Sequence, residues 1–167
     1  MKVRDLMTTN VKTCNPETNL ATAASLMWEN DCGALPVVNN DGKVIGMITD
    51  RDICMAVGTK CRLASEIMVG EVISNEVFGC SPDDEIKQAL ITIQDRMVRR
   101  LPVMDSEGML QGILSINDIL LQAEEGPRKK TSGIIYEDAV GALKSICTHR
   151  TSDQSHPSSP QAATAKS

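Results

Sequence analysis

Two matching stretches of the chain carry the residue types that bind a phosphorylated sugar. Each has a glycine, a hydroxyl side chain three residues later and an aspartate three residues after that: Gly46, Thr49, Asp52 and Gly112, Ser115, Asp118. A helix that begins just after the hydroxyl residue offers unpaired amides and a partial positive charge to a phosphate. The aspartate can accept hydrogen bonds from paired sugar hydroxyls. The pattern is therefore typical of a nucleotide site.

The same pattern also has a structural interpretation. Thr-x-x-Asp and Ser-x-x-Asp are capping-box sequences, in which the hydroxyl accepts a hydrogen bond from the third amide and the acid accepts one from the first. A duplicated sequence copies its helix caps as faithfully as its binding sites. The spacing alone leaves both interpretations open.

The elements that position these residues are encoded twice. Pro16 matches Pro82, 66 residues later, and the same offset places Leu35-Pro36-Val37 over Leu101-Pro102-Val103. A fixed offset over most of two segments is the signature of an internal repeat. We expect two copies of one structural unit.

Before the first proline, the best local match has a different offset. Asp5-Leu6-Met7 resembles Glu66-Ile67-Met68, 61 residues later. This match predicts five extra residues in the second copy, around Val69 to Phe78. Insertions of this kind belong to surface loops.

Within each copy, the hydrophobic periodicity predicts the order strand, helix, strand, strand, helix. In the first copy these elements are Val11–Cys14, a helix capped by Thr18 or Asn19 and closed by Gly33, Ala34–Val38, Lys43–Ile48, and a helix from Thr49 to about Val57 that Gly58 stops. In the second copy they are Val77–Cys80, a helix with Ile86, Ala89, Leu90, Ile93 and Met97 on one face, Leu101–Met104, Met109–Leu114, and a helix from Ile116 to about Ala123. The fold class is α+β. We expect the two sheets to pack face to face with pseudo-two-fold symmetry, leaving clefts where the copies meet.

The chain divides into four predicted segments. Residues 1–61 and 62–125 form the two units, 126–147 a basic linker and a C-terminal helix, and 148–167 a disordered polar tail. The helix, from Ile134 to Cys147, is predicted to present Tyr136, Val140, Leu143 and Cys147 on its apolar side. We expect it to cover the surface of its own module, and the alternative is the surface of a partner.

The combined motifs resemble the CBS-domain family over about residues 1 to 124. They are D-[LI]-M, a proline after the first strand, L-P-V, D-G and G-x-[IL]-[ST]-x-x-D. The resemblance implies a regulatory module that has no obligatory cofactor and binds AMP, ADP or ATP in the clefts between copies. Family members without a catalytic domain commonly form disc-shaped dimers, so the resemblance also implies a homodimer. It leaves the identity of any further protein partner open.

The resemblance also implies site residues. It assigns the ribose to Asp52 and Asp118, and a hydroxyl near the phosphate to Thr49 and Ser115. The phosphate-binding basic position falls on Arg100, with Arg99 beside it, whereas the first copy has Gly33 and Ala34 there. Arg51 is a substitute charge for the first copy, and Thr13 lies near the expected base position. The alternative for Arg96, Arg99 and Arg100 is the solvated basic end of a helix.

Composition disfavours other classes of function. With 17 basic and 22 acidic residues and a net charge of −5, the chain is a poor polyanion binder, and Arg128-Lys129-Lys130 is a short solvated run. Three aromatic residues leave few platforms for stacking nucleic-acid bases. The short apolar runs predict neither a membrane span nor a signal core, so we expect a cytoplasmic protein.

Catalysis is also disfavoured. The sequence has no P-loop, no Ser/His/Asp set and no C-x-x-C pair, and both histidines, His149 and His156, lie in the tail. We expect neither an enzyme nor a metal site, and we interpret the six cysteines as buried, reduced core residues. The alternative to nucleotide sensing is a ligand-free structural module that acts through dimerisation and protein contacts.

Overall fold

The computed structural model describes residues 1–74, 76–123 and 134–148, and the following statements concern those residues. The first copy holds α1 (Leu20–Glu29), β1 (Ala34–Val38), β2 (Val44–Thr49) and α2 (Asp50–Lys60). The second copy holds α3 (Ile86–Arg96), β3 (Arg100–Met104), β4 (Leu110–Ser115) and α4 (Ile116–Leu121), and α5 spans Tyr136–Cys147. Short 3-10 turns lie at Val3–Asp5, Ala64–Glu66 and Val69–Glu71. The basic linker and all of the tail after Thr148 lie outside the described residues.

Each copy is built around a two-stranded antiparallel hairpin. β1 pairs with β2, and β3 pairs with β4 in the same register, with a bulge at the same place. The two strands predicted to open the copies are reduced to single parallel bridges, Cys14 with Val37 and Cys80 with Val103. Longer ladders do not form here because the prolines in β1 and β3, Pro36 and Pro102, have no N–H to donate.

The repeat keeps the 66-residue offset as far as the N-terminus. Lys2 bridges to Glu85, and its counterpart Met68 bridges to Asn19, the counterpart of Glu85. The 3-10 turns Val3–Asp5 and Val69–Glu71 correspond in the same way. The predicted 61-residue offset and five-residue insertion are therefore wrong. The similarity of Asp5-Leu6-Met7 to Glu66-Ile67-Met68 indicated the wrong offset. Val3 and Val69, which are both buried, correspond at the offset of 66 residues.

The two copies exchange their leading segments. Val3 is buried in the core of the second copy with Leu90, Ile93 and Leu101, whereas Val69 is buried in the core of the first. Residues 3–8 and 69–74, here called the first and second arms, therefore cross between the halves. The first arm also forms a bridge from Thr8 to Ile113 in β4, with N–H···O distances of 2.9 Å in both directions.

The apolar residues form two separate cores rather than one merged core. The sheets meet through β2 and β3 and through a bridge between the turn residues Lys43 and Met109. The contact between the sheets is thus one connection between the halves, and the exchange of arms is a second, which buries apolar side chains of one half in the other.

Several helix ends differ from the sequence prediction. Gly58 lies inside α2, which continues to Lys60 before Cys61 adopts a left-handed conformation with φ of 50°. A helical glycine costs only about 1 kcal/mol, and that is too little to end the helix. α1 ends at Glu29, before Gly33, because Asp31 takes a left-handed conformation with φ of 48°. α4 ends at Leu121.

The C-terminal helix α5 packs on α3 and α4, which confirms that it covers its own module. The predicted contact face is correct for Leu143, which packs against the core, and wrong for Tyr136, Val140 and Cys147, which are exposed, whereas Ala139 and Ala142 are fully buried. These small side chains let the backbone of α5 approach α3 closely. Ile134 and Ile135, just before the helix, are also buried.

Candidate ligand-binding site

The two motifs form identical capping boxes at the starts of α2 and α4. The backbone N–H of Thr49 donates to Oδ2 of Asp52 at 2.9 Å, and the N–H of Asp52 donates to Oγ1 of Thr49 at 3.2 Å. The equivalent distances for Ser115 and Asp118 are 2.8 and 3.2 Å. The structural interpretation of the motif is therefore correct for both copies.

The caps do not use every polar atom of these residues. Each hydroxyl donates its proton to Oδ2 of the aspartate, at 2.7 Å from Thr49 and 2.8 Å from Ser115. In the described part of the chain, Oδ1 of Asp52 and Oδ1 of Asp118 accept no hydrogen bond. The carboxylates can therefore cap their helices and still accept hydrogen bonds from another group, whereas the hydroxyl protons are already engaged.

The glycines of the two motifs serve the arms rather than a ligand. A Cβ atom on Gly112 would lie 2.7 Å from the carbonyl oxygen of Thr8 in the first arm. A Cβ atom on Gly46 would lie 2.9 Å from Ile73 in the second arm. At Gly112 the neighbour is a backbone atom, so only glycine fits, and at Gly46 a larger residue would have to displace the side chain of Ile73.

Arg100 crosses from the second copy to the first. It pairs in register with Ser115 at the start of β3, and so lies beside the second capping box. Its side chain reaches Gly33: a Cβ atom placed there would lie 3.7 Å from Nη2 of Arg100 and 3.0 Å from Oδ2 of Asp50, the first residue of α2. Arg100 therefore connects the start of α2 with the second capping box.

This position excludes the alternative that Arg100 belongs to the basic end of a helix. α3 ends at Arg96, whose guanidinium stacks 4.4 Å from the ring centroid of Phe78, and Arg100 is the first residue of β3. Gly33 and Asp50 were not predicted as site residues. The repeat alone gives a partial indication of Gly33, because the 66-residue offset aligns it with the predicted site residue Arg99.

The other predicted residues lie outside this arrangement. Arg99 is exposed, and its carbonyl accepts the N–H of Ile116 at 2.9 Å. Arg51 is exposed on α2, and Thr13 is half-buried beside the bridge at Cys14. Within the described ranges, no side-chain hydrogen bond or ion pair joins these three residues to a capping box. Their predicted roles stay predictions.

The cysteine interpretation is correct for one pair of residues. Cys14 and Cys80 are buried counterparts, and burial raises the pKa of their thiols to about 11 and about 12. Cys54, Cys61 and Cys147 are exposed, contrary to prediction. All six cysteines are free thiols. In the part of the chain that is described, no cluster of three His, Cys, Asp or Glu residues is placed to hold a metal ion.

No described helix combines the length and apolar character that a membrane span requires. The fold is a tandem repeat of two α+β units, each ending in a strand followed by a capped helix. The CBS-domain family model matches residues 3–59 and 69–125, again 66 residues apart. This chain belongs to the CBS-domain family, and the prediction from its motifs is confirmed.

Three relatives place the chain within this family. It is 36% identical over 117 residues to the CBS domain-containing protein YhcV of Bacillus subtilis, covering 70% of this chain and 81% of that protein. The structure of Hypoxic Response Protein I with two coordinated zinc ions is 29% identical with a TM-score of 0.68, covering 74% of this chain and 100% of the other. The structure of CBSX2 in complex with AMP is 25% identical with a TM-score of 0.63, covering 72% and 93%.

Proposed function

We propose that this chain is a regulatory module that binds an adenine nucleotide between its two copies. The observation that carries the proposal is the position of Arg100, between the start of α2 and the capping box of Ser115 and Asp118. The AMP complex of the related protein CBSX2 supports the class of ligand. The nucleotide would act by binding one relative arrangement of the copies more tightly than another.

Arg100 is assigned to the phosphate. In the described residues, no carboxylate lies within 4.0 Å of its guanidinium, whereas Arg4 and Arg62 are held in ion pairs. The N-terminus of the 11-residue helix α2 adds backbone amides and a partial positive charge nearby. A charge-assisted hydrogen bond to phosphate contributes about 1.5–3 kcal/mol. Arg99 is assigned a weaker, solvent-exposed contribution.

Asp52 and Asp118 are assigned to the ribose hydroxyls through Oδ1, while Oδ2 continues to cap each helix. Thr49 and Ser115 would have to turn their hydroxyl protons away from the carboxylates to reach a phosphate, so their main contribution is to hold the aspartates. Thr13 is assigned to the base and Arg51 to charge at the first site. The first copy lacks the basic pair at Gly33 and Ala34, so we expect the two sites to differ in affinity.

Calorimetric titration with ATP, ADP and AMP tests the proposal. The informative variants are Asp52→Asn and Asp118→Asn, which keep one oxygen for the cap and replace the other by an amide group. The matched control is Asp105→Asn, because Asp105 also accepts backbone amides but lies at the far end of β3. We expect heat for the wild type and the control, and weaker binding for the two site variants. No heat with any of the three nucleotides would reject the function.

A ligand-free structural module remains the second candidate, and one observation favours it. Thr49 and Ser115 already donate their hydroxyl protons to Asp52 and Asp118, so the repeated motif forms its helix caps without a ligand. Thermal unfolding distinguishes the two functions. A nucleotide at 100 times its dissociation constant would stabilise the fold by about 2.7 kcal/mol, whereas a structural module would not respond.

A further inference from the structure

The space beside Arg100 holds charges of opposite sign. A Cβ atom on Gly33 would lie 3.7 Å from Nη2 of Arg100 and 3.0 Å from Oδ2 of Asp50, so the two copies direct a cation and an anion at one point. These two groups nonetheless form no ion pair, and no described residue donates a hydrogen bond to Oδ2 of Asp50. A phosphate that contacts Arg100 would therefore lie near a carboxylate that nothing neutralises.

A cavity of about 400 Å³ opens at this point, and Gly33 and Asp50 both line it. The charged residues in its lining are two acids, Asp50 and Asp31, and none of the described basic residues lines it. Asp31, like Asp50, has no ion-pair partner in the described part of the chain. The cavity has room for several phosphate groups, so its size would admit a polyphosphate. The charge of its lining opposes one, because like charges repel.

The second copy has the same backbone contact at this place but different side chains. The N–H of Asp50 donates to the carbonyl oxygen of Gly33 at 3.2 Å, and the N–H of its counterpart Ile116 donates to that of Arg99 at 2.9 Å. A carboxylate thus takes the place of an apolar side chain, and a glycine takes the place of an arginine. Asp31 likewise corresponds to an uncharged methionine. The acids are therefore a property of the first copy and not of the fold that both copies share.

The start of helix α2 explains one oxygen of Asp50 but not the other. Oδ1 accepts the N–H of Arg51 at 2.7 Å, and an acid in the first turn is favourable to the helix dipole. Helix α4 forms the same capping box with Ile116 at this position, so the cap itself does not require an acid. Oδ2 of Asp50 is left facing the space beside Gly33.

We propose that Asp50 makes the ligand position at the start of α2 selective for a nucleoside monophosphate. Arg100 attracts the first phosphate, whereas each further phosphate adds negative charge beside Asp50 and Asp31. AMP should therefore bind this position more tightly than ADP, and ADP more tightly than ATP. This preference rests on the proposed function, because it belongs to the same site.

Trp28 provides a local readout of the position. It is the one tryptophan in the sequence, it lines the same cavity, and 89% of its surface is exposed. The variant Asp50→Asn removes the negative charge and keeps Oδ1 as the acceptor for the N–H of Arg51. The matched control, Asp41→Asn, makes the same change of charge in the exposed turn at the far end of the β1–β2 hairpin.

Titrations followed by the emission of Trp28 should give tighter binding of AMP than of ATP to the wild type. The buffer contains no divalent cations, because these would neutralise the phosphates. Asp50→Asn should strengthen the binding of ATP by about 10-fold and that of AMP by less, because ATP carries more charge past Arg100. The gain for ATP should shrink as salt is added, since ions screen the repulsion. Asp41→Asn should keep the wild-type ratio of affinities.

Calorimetry in parallel distinguishes a wrong preference from a wrong function. No heat with any of the three nucleotides would reject nucleotide binding, and the preference with it. Heat without a change in the emission of Trp28 would place the nucleotide away from the cavity and overturn the preference alone. A wild type that favours ATP would also overturn it, as would an affinity ratio that Asp50→Asn leaves unchanged. An equal shift in Asp41→Asn would indicate the net charge of the protein and would overturn the role of Asp50.

Discussion

Val3 and Val69 occupy the same position in the two halves of the molecule, and each is fully buried in the core of the opposite half. The first arm also bridges to the opposite hairpin between Thr8 and Ile113, and Gly46 and Gly112 leave room for the arms. The arms thus couple the stability of each half to the position of the other. A ligand between the halves would act on this connection.

Replacing Val3 by alanine should destabilise the second half more than the first. The change removes two buried methyl groups from a core that contains Leu90, Ile93 and Leu101, at a cost of about 2 kcal/mol. Hydrogen exchange should show the loss of protection in α3, β3 and β4. The control Val57→Ala removes the same groups from an exposed position on α2 and should have little effect. Equal loss in both halves would contradict the assignment of the arm.

The capping boxes predict a stability cost that is separable from ligand binding. Ser115→Ala removes the acceptor for the N–H of Asp118 and should lower the free energy of unfolding by about 1 kcal/mol. Asn19→Ala removes a similar cap, because Oδ1 of Asn19 accepts the N–H of Thr22 at 2.8 Å. Denaturant unfolding should give similar losses. Calorimetry should show weaker nucleotide binding only for Ser115→Ala, since its aspartate loses its orientation.

Arg100 should determine nucleotide affinity. Its replacement by alanine removes a charge-assisted contact, and we expect binding to weaken by about 10- to 150-fold. Arg100→Lys should give an intermediate result, because it keeps the charge but loses the planar fork. Lys87→Ala, an exposed change of the same charge on α3, is the control. Equal affinity for Arg100→Ala and the wild type would remove Arg100 from the site.

The sequence predicted the repeated elements because each has its own local signal. The cap at Asn19, the hairpin strands and the boxes at Thr49 and Ser115 depend on spacing within a few residues.

The arms were missed because the relation of Val3 to Val69 is visible only when the offset is held constant through a region with little other similarity. The contact of Arg100 with the surroundings of Gly33 joins two copies, and no local pattern encodes a distance between copies. The contact face of α5 was missed because a prediction from hydrophobicity ranks Tyr136 and Val140 above Ala139 and Ala142, whose small side chains allow close packing.

Acid should destabilise the fold through Asp105. The backbone N–H of Met109 contributes most to holding the pKa of this carboxyl below its usual range, and the N–H of Glu107 and the side chain of Gln111 also contribute. Because the pKa of Asp105 is lower in the folded state than in the unfolded state, its ionised carboxyl stabilises the fold fully at any pH above the unfolded pKa. This stabilisation is lost as the pH falls through the pKa of the folded state. As the pH is lowered from neutral through this folded pKa, the urea midpoint of Asp105→Asn should fall less steeply than that of the wild type. Glu107→Gln, whose side chain accepts no hydrogen bond in the described structure, should retain the wild-type slope.

Thiol alkylation should divide the cysteines into two groups. Burial raises the pKa of Cys14 to about 11 and that of Cys80 to about 12, so at neutral pH both are protonated and shielded from reagent. Since the thiolate is the reactive form, both should label slowly in the native protein, whereas exposed Cys54 and Cys61 should label quickly. Peptide mass spectrometry after timed exposure to iodoacetamide measures each site, and denatured protein provides the control in which all sites react. Rapid native labelling of Cys80 would mean that its bridge to Val103 opens readily, and the second half would then be less rigid than its packing indicates.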